Sequence, residues 1–266
     1  MKTTFTNNKN KSSLMLALAR FFLLWLIVVP MKLLAAGGSS YPLDAIEVNP
    51  RDKPSLQRGA QLYMNYCFGC HETSFQRYER VADDLGIPHD LMQEYLMPAS
   101  AKIGDLMKNG VDPNEAKSWF GVVPPDLTMV ARVRNPEWLY TYLRTFYLDP
   151  KRPWGVNNKV FPDVGMPHVL LDLQGGMVDT CHGASAGRDT LTGDQLCGLE
   201  PDPSVKGSLS SAQFDQAIYD LVNFLAYSAE PMKMERQRIG IYVLIFLAIF
   251  FIPAYLLKRE YWKDVH

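Results

Sequence analysis

Cysteine is scarce in this 266-residue chain: there are four, and two of them stand in one short motif, Cys67-Phe-Gly-Cys70-His71. A structural zinc site needs a second ligand pair at suitable spacing, and Cys181 and Cys197, 16 positions apart, do not supply it. Around Cys67 and Cys70 the chain also lacks the alternation of strands and helices that would surround a thioredoxin-like dithiol. No internal repeat and no low-complexity tract is present. The formal net charge is -1, so there is no surplus of positive charge to hold a nucleic acid.

Long apolar runs are confined to the two ends. The first follows Lys2, Lys9 and Lys11, continues over residues 14–29, and is followed by the small residues Ala35, Ala36, Gly37 and Gly38. This order predicts a secretory signal over residues 1–38. Arg20 interrupts the run, and the alternative is an uncleaved N-terminal anchor. The second run, residues 239–257, holds 19 residues without a charge. At about 1.5 Å per residue it covers roughly the 30 Å of a hydrocarbon core. A buried core helix is the alternative, but such helices seldom run apolar on every face, and Pro253 suits a membrane helix better.

Between these runs the near-neutral total charge is misleading, because residues 39–236 carry 26 acidic and 18 basic side chains, a net of -8. Such a domain favours a basic partner through steering, unless the charge serves solubility alone. Residues 124–187 are rich in Pro and Gly and cannot be mostly regular helix. Helices are expected on either side. Leu56, Ala60, Tyr63 and Cys67 share one helical face over residues 55–67, so the cysteine motif closes a helix. Residues 135–146 begin with a capping Asn135 and Pro136, then carry Leu139, Tyr142, Leu143 and Phe146 at helical spacing. Ser210 and Gln213 form a capping-box pattern ahead of the stripe Phe214, Ile218, Leu221, Val222 and Leu225, and Pro231 stops that helix. Residues 232–238 are then a charged linker to the span.

Two thiols separated by two residues match the two vinyl groups of one haem, and the adjoining His71 is placed to reach the iron. The motif therefore predicts one covalently bound haem c, with Cys67 and Cys70 as thioether links and His71 as a metal ligand. For the opposite face of the iron, Met166 in the Gly165-Met166-Pro167 loop is a soft, neutral donor that raises the potential. His168, two residues away, competes with it. Positive charge leaves membrane topology tied, since Lys233, Arg236 and Arg238 precede the span and Lys258, Arg259 and Lys263 follow it. Haem attachment outside the bacterial cytoplasm breaks the tie: residues 39–231 form an exported domain and residues 258–266 a cytoplasmic tail. In an exported domain a disulfide between Cys181 and Cys197 is the simplest account of that pair; two unpaired thiols are the alternative.

These features in this order resemble the cytochrome c1 family, the membrane-anchored haem subunit of the cytochrome bc1 complex, from about Tyr41 to Trp262. The resemblance rests on Gly59 and Tyr63 ahead of the haem motif, on Val123-Pro124-Pro125-Asp126-Leu127 followed by Ala131-Arg132-Val133-Arg134, on Gly165-Met166-Pro167, and on Phe224-Leu-Ala-Tyr-Ser-Ala-Glu230-Pro231 before the span. It implies a mainly α cytochrome c-type haem domain with long loops plus one C-terminal transmembrane helix. It implies His71 and Met166 as axial ligands, Arg134 beside a haem propionate with Arg132 as the near alternative, and Pro125 among the haem-binding positions. Without the family, either arginine would read as a solvated surface charge.

The implied function is electron transfer from the Rieske iron-sulfur protein through the haem to a cytochrome c, as a non-quinol-binding subunit of a quinol-cytochrome c reductase. Cytochrome b and membrane lipid are the implied neighbours, in a dimeric complex on the periplasmic side of the bacterial inner membrane. No side chain is expected to do acid-base or nucleophilic catalysis. The competing readings are an independent membrane-anchored c-type cytochrome serving another oxidase or dehydrogenase, and a haem-based gas sensor with an open iron site.

Overall fold

The computed structural model describes residues 41–181 and 198–263; the expected signal, Cys197 and the end of the tail lie outside them. Helix α1 (Lys53–Leu62) has Asp52 at its N-cap, accepting from the Ser55 amide, and Pro54 in its first turn. It runs directly into a π-turn, Tyr63–Cys67, closed by the Phe68 amide donating to the Tyr63 carbonyl at 2.9 Å. The expected helix is therefore α up to Leu62 and π beyond it, a local widening that simple periodicity does not register. The predicted stripe Leu56, Ala60, Tyr63 and Cys67 is nonetheless buried throughout.

Helix α1 packs on the long helix α8 (Ser211–Ala229), and Gly59 sets how close they come. A Cβ at Gly59 would lie 2.0 Å from the Asp220 carbonyl oxygen and 2.8 Å from Phe224 Cβ. Beside this contact Arg58 grips the buried Asp220 carboxylate with Nε at 2.6 Å and Nη2 at 3.0 Å, and Gln216 donates to it at 3.0 Å. A buried carboxylate is tolerated when its lone pairs are filled in this way. Around the crossing lie Leu56, Tyr63, Leu221 and Phe224, all at or near zero exposure; each such side chain contributes roughly 2 kcal/mol.

The remaining elements wrap this pair. They are strand β1 (Thr73–Arg77), helices α2 (Tyr78–Leu85) and α3 (His89–Tyr95), strand β2 (Leu106–Met107), helices α4 (Pro113–Phe120), α5 (Val130–Val133) and α6 (Pro136–Arg144), strands β3 (Phe146–Leu148) and β4 (Val156–Asn158), helix α7 (Leu171–Gln174) and strands β5 (Gly175–Asp179) and β6 (Leu199–Lys206). The strands form three antiparallel pairs, β1–β2, β3–β4 and β5–β6, and β3, β4 and β5 lie in the Pro- and Gly-rich middle beside the short helices α5, α6 and α7. In β3–β4 the register pairs Phe146 with Asn158 and Leu148 with Val156. Helix α6 has the expected Asn135 cap, accepting from the Trp138 amide at 2.8 Å, but ends at Arg144. Phe146 has left the helix for β3, because pairing with Asn158 satisfies its backbone in another way. The Ser210–Gln213 capping box is formed in both directions, and α8 ends just before Pro231.

Helix α9 (Lys233–Tyr261) is 29 residues long and begins six residues before the apolar run at 239, inside the expected connector. The segment 232–238 is thus no separate linker beyond its first residue. Lys, Met, Glu, Arg and Gln are all good helix formers, and Arg238 pairs with Glu235 at 2.6 Å, so nothing stops the helix from extending below the apolar run. Its apolar side chains are exposed, Leu244 at 68 % and Phe251 at 66 %, as a lipid-facing helix requires.

Replacing Gly59 with Ala forces α1 and α8 apart at their tightest point. The expected cost is about 2 kcal/mol or more, read as a lower melting temperature of the detergent-solubilised, haem-loaded chain; an unchanged melting temperature would contradict the crossing described.

Candidate haem site

The π-turn delivers the motif. Beyond it the amides of Cys70 and His71 both donate to the Cys67 carbonyl, at 3.0 and 2.8 Å, which curls the motif back on the helix end. Cys67 is buried and Cys70 is exposed. Burial, with a smaller effect of Cys70, pushes the Cys67 thiol up to about 12. On the inner side the buried Tyr63 hydroxyl donates to the His71 carbonyl at 2.8 Å, which ties the end of the motif back to the helix that starts it.

The Pro-Pro-Asp-Leu element lies against the motif and fixes its histidine. His71 Nδ1 donates to the Pro125 carbonyl at 2.8 Å. A carbonyl can only accept, so Nδ1 carries the proton and Nε2 presents its lone pair, the form a metal ligand needs. Burial holds His71 below the usual histidine range, against the opposing effect of the Pro125 carbonyl. The element is itself pinned: Leu127 donates to the Glu72 carbonyl at 2.7 Å, and Asp126 accepts from the amides of Ser74 at 2.9 Å and Thr128 at 2.7 Å, and from the Ser74 hydroxyl. Desolvation works to raise the Asp126 carboxyl, but these hydrogen bonds outweigh it and hold it below its ordinary value.

Met166 reaches the same place from the loop after β4. Cys67, His71, Val122, Pro125, Gly165 and Met166 all line a cavity of about 470 Å³ with largely apolar walls. Leu221 and Leu225 of α8 close its floor. Its size falls in the range of cofactor sites. Cys70 lines an adjoining pocket with Cys67, His71 and Met166. A flat macrocycle tethered to both cysteines would fit here, because a histidine with its lone pair prepared, a thioether and apolar walls line the same pocket.

The two arginines are separated. Arg134 lines the cavity and lies over the Trp138 ring, 5.0 Å from its centroid. Arg132 is turned away to Glu230, at 3.3 Å. His168, the competitor of Met166, is not among the cavity residues; its ring is stacked on Phe146 at 4.8 Å and 3°, and burial drives it down to about 4. Cys181 is buried and disulfide-bonded, while Cys197 lies outside the described residues.

Some cavity residues carry no sequence signal for the site. Trp138 and Tyr142 look like ordinary core positions of α6, and Val122 and Phe161 are unmarked loop residues; only folding brings them to one wall. Pro125 is expected from the family resemblance, but that its carbonyl is the group meeting His71 has no signal of its own, because every residue has a carbonyl.

Asp126 yields a pH prediction. Its folded value lies below the ordinary 3.8, so its contribution to stability is complete above that value and is lost as pH falls through the depressed one. Asp126→Asn should flatten the acid limb of the unfolding curve as pH falls below the ordinary 3.8, followed by circular dichroism; an acid limb identical to that of the unaltered chain would contradict the assigned hydrogen bonds.

The Cytochrome C1 family model matches residues 47–194 and 208–265. Cytochrome c1 of Allochromatium vinosum is 49 % identical over 245 residues, covering 91 % of this chain and 97 % of that protein. A protein of Nitrosomonas europaea named ammonia monooxygenase gamma subunit is 40 % identical over 247 residues, covering 93 % and 98 %. Cytochrome c1 of Rhodobacter capsulatus is 26 % identical, covering 79 % of this chain and 83 % of that protein. With the family model matching most of its length and a relative 49 % identical over 91 % of it, the chain belongs to the cytochrome c1 family.

Proposed function

We propose that this chain is the electron-transfer subunit of a cytochrome bc1 complex, taking one electron at a time from a Rieske iron-sulfur protein and giving it to a cytochrome c. The observation that carries this reading is the convergence of Cys67, Cys70, His71 and Met166 on one apolar pocket that adjoins the larger cavity. Members of the family carry one covalently bound haem c, which supplies the ferric-ferrous couple. The residues bind and orient it. Cys67 and Cys70 would tether it, His71 Nε2 and Met166 Sδ would hold its iron, and the Pro125 carbonyl keeps the His71 proton on Nδ1. Arg134, whose planar cation offsets the burial of a carboxylate, serves a propionate. Apolar walls keep water away, which limits reorganisation when charge on the iron changes.

Quinol chemistry belongs to a cytochrome b partner, and this chain contributes to the reductase as its outlet. Helix α9 anchors the haem domain in the membrane, with the domain on the periplasmic side, residues 258–266 on the cytoplasmic side, and the complex a dimer. A Cys181–Cys197 bridge would stiffen the segment beyond the Met166 loop.

The deciding experiment is gentle solubilisation of membranes from the source cell followed by affinity capture of this chain. Cytochrome b and the Rieske protein should travel with the haem; their absence would point to a separate membrane-anchored carrier. Met166→Leu should keep the haem attached, lower the reduction potential markedly and admit carbon monoxide to the reduced iron. Rapid carbon monoxide binding by the unaltered reduced protein would instead favour the sensor reading. Replacing Cys67 and Cys70 together should release haem on denaturation.

A further inference from the structure

Met166 makes one polar contact that its role as a ligand does not need. The hydroxyl of Tyr142 donates to Met166 Sδ at 3.4 Å. The direction of that hydroxyl is set by two rings: Tyr142 is stacked on Trp138 at 4.8 Å and 11°, and meets Phe146 edge-on at 5.2 Å and 67°. The distance between α6 and the Met166 loop is set by Asn158, the last residue of β4, which is 1 % exposed. Its Nδ2 donates to the Tyr142 carbonyl at 2.7 Å, and its Oδ1 accepts from the amides of Val160 at 2.9 Å and Phe161 at 3.1 Å. One buried amide thus spans from the helix carrying Tyr142 to the loop carrying Met166. The far side of the loop is held as well. Asp163, at φ 61°, donates its amide to Asn157 Oδ1 at 2.9 Å, and Arg152 donates to both its carbonyl and its carboxylate at 2.8 Å.

We propose that Tyr142 is a positioning residue for the axial thioether, its hydroxyl holding Met166 Sδ in place and raising the reduction potential of the iron, with Asn158 as the strut that sets the contact. The inference rests on Met166 being the ligand. A thioether sulfur is a weak acceptor with two lone pairs. When one faces the metal, the other is free for the phenol, and a proton donated to it draws electron density from the sulfur. A poorer donor stabilises ferric iron less, so the ferrous state gains and the potential rises. The same bond resists departure of the sulfur from the iron.

The test uses the full, membrane-anchored, haem-loaded chain. Tyr142→Phe keeps the stacked ring and removes only the hydroxyl. The midpoint potential, measured by spectroelectrochemical titration, should fall. A hydrogen bond of about 0.5–1.5 kcal/mol corresponds to roughly a two- to tenfold rise in the ferric-to-ferrous ratio at fixed poise, tenfold being about 59 mV for one electron. Carbon monoxide should bind the reduced variant faster, with haem content unchanged. Asn158→Asp, which keeps the acceptor for Val160 and Phe161 and loses the donor to Tyr142, should move the potential the same way. An unchanged or raised midpoint in Tyr142→Phe overturns the proposal, provided Met166→Leu lowers it. An unchanged midpoint in Met166→Leu as well would show that Met166 is not the ligand. Loss of melting temperature alone would mark Tyr142 as packing and nothing more.

Discussion

The contact at Gly59 is the constraint on which the haem site depends. Helices α1 and α8 meet backbone to backbone there, with space for no Cβ, and Arg58 locks the crossing through the buried Asp220 carboxylate. Helix α1 ends in the π-turn that presents Cys67, while α8 supplies Leu221 and Leu225 to the cavity and leads through Glu230 toward the membrane helix. A single interface therefore joins the cofactor tether, the cavity floor and the anchor. A shift at Gly59 would be felt at all three, because close-packed interiors transmit displacement instead of absorbing it.

The two faces of the haem site are built by different kinds of structure. The histidine face is local: Cys67, Cys70 and His71 lie within five residues, and Tyr63 holds the His71 carbonyl from eight residues away. The methionine face is assembled from loops and a short hairpin, and loops of this kind keep a geometry only when their backbone polar groups are satisfied by side chains. Asn157, Asn158 and Arg152 do this for residues 160–163. The position of the Met166 loop rests on buried amides that nothing in the sequence alone marks out.

The helix that leaves the domain is stiffer than a charged connector. From Lys233 it runs without a break into the apolar run, while Arg132 and Arg236 both pair with Glu230 at its base, at 3.3 and 3.2 Å. Exposed ion pairs of this sort are individually weak. Their value here lies in direction, since a helical junction orients the domain on its anchor where a flexible one would not.

The residue pattern alone determined the covalent haem, the helix leading to it, the capped helices at 136 and 211 and the membrane run, because each is written in local spacing: thiols two residues apart, apolar side chains at three and four, a cap three residues before its partner, 19 uncharged residues in a row. Tertiary structure alone decided between Met166 and His168 for the cavity, and between Arg134 and Arg132, since each pair is two residues apart and chemically plausible in either order. In each case packing chose: Phe146 takes the His168 ring and Glu230 takes Arg132, leaving Met166 and Arg134 to face the cavity. The Pro125 carbonyl, the Tyr142 hydroxyl and the Asn158 amide were beyond the reach of spacing for the same reason. Their roles depend on partners 54, 24 and 16 positions away, and such a contact has no signature until the chain has folded.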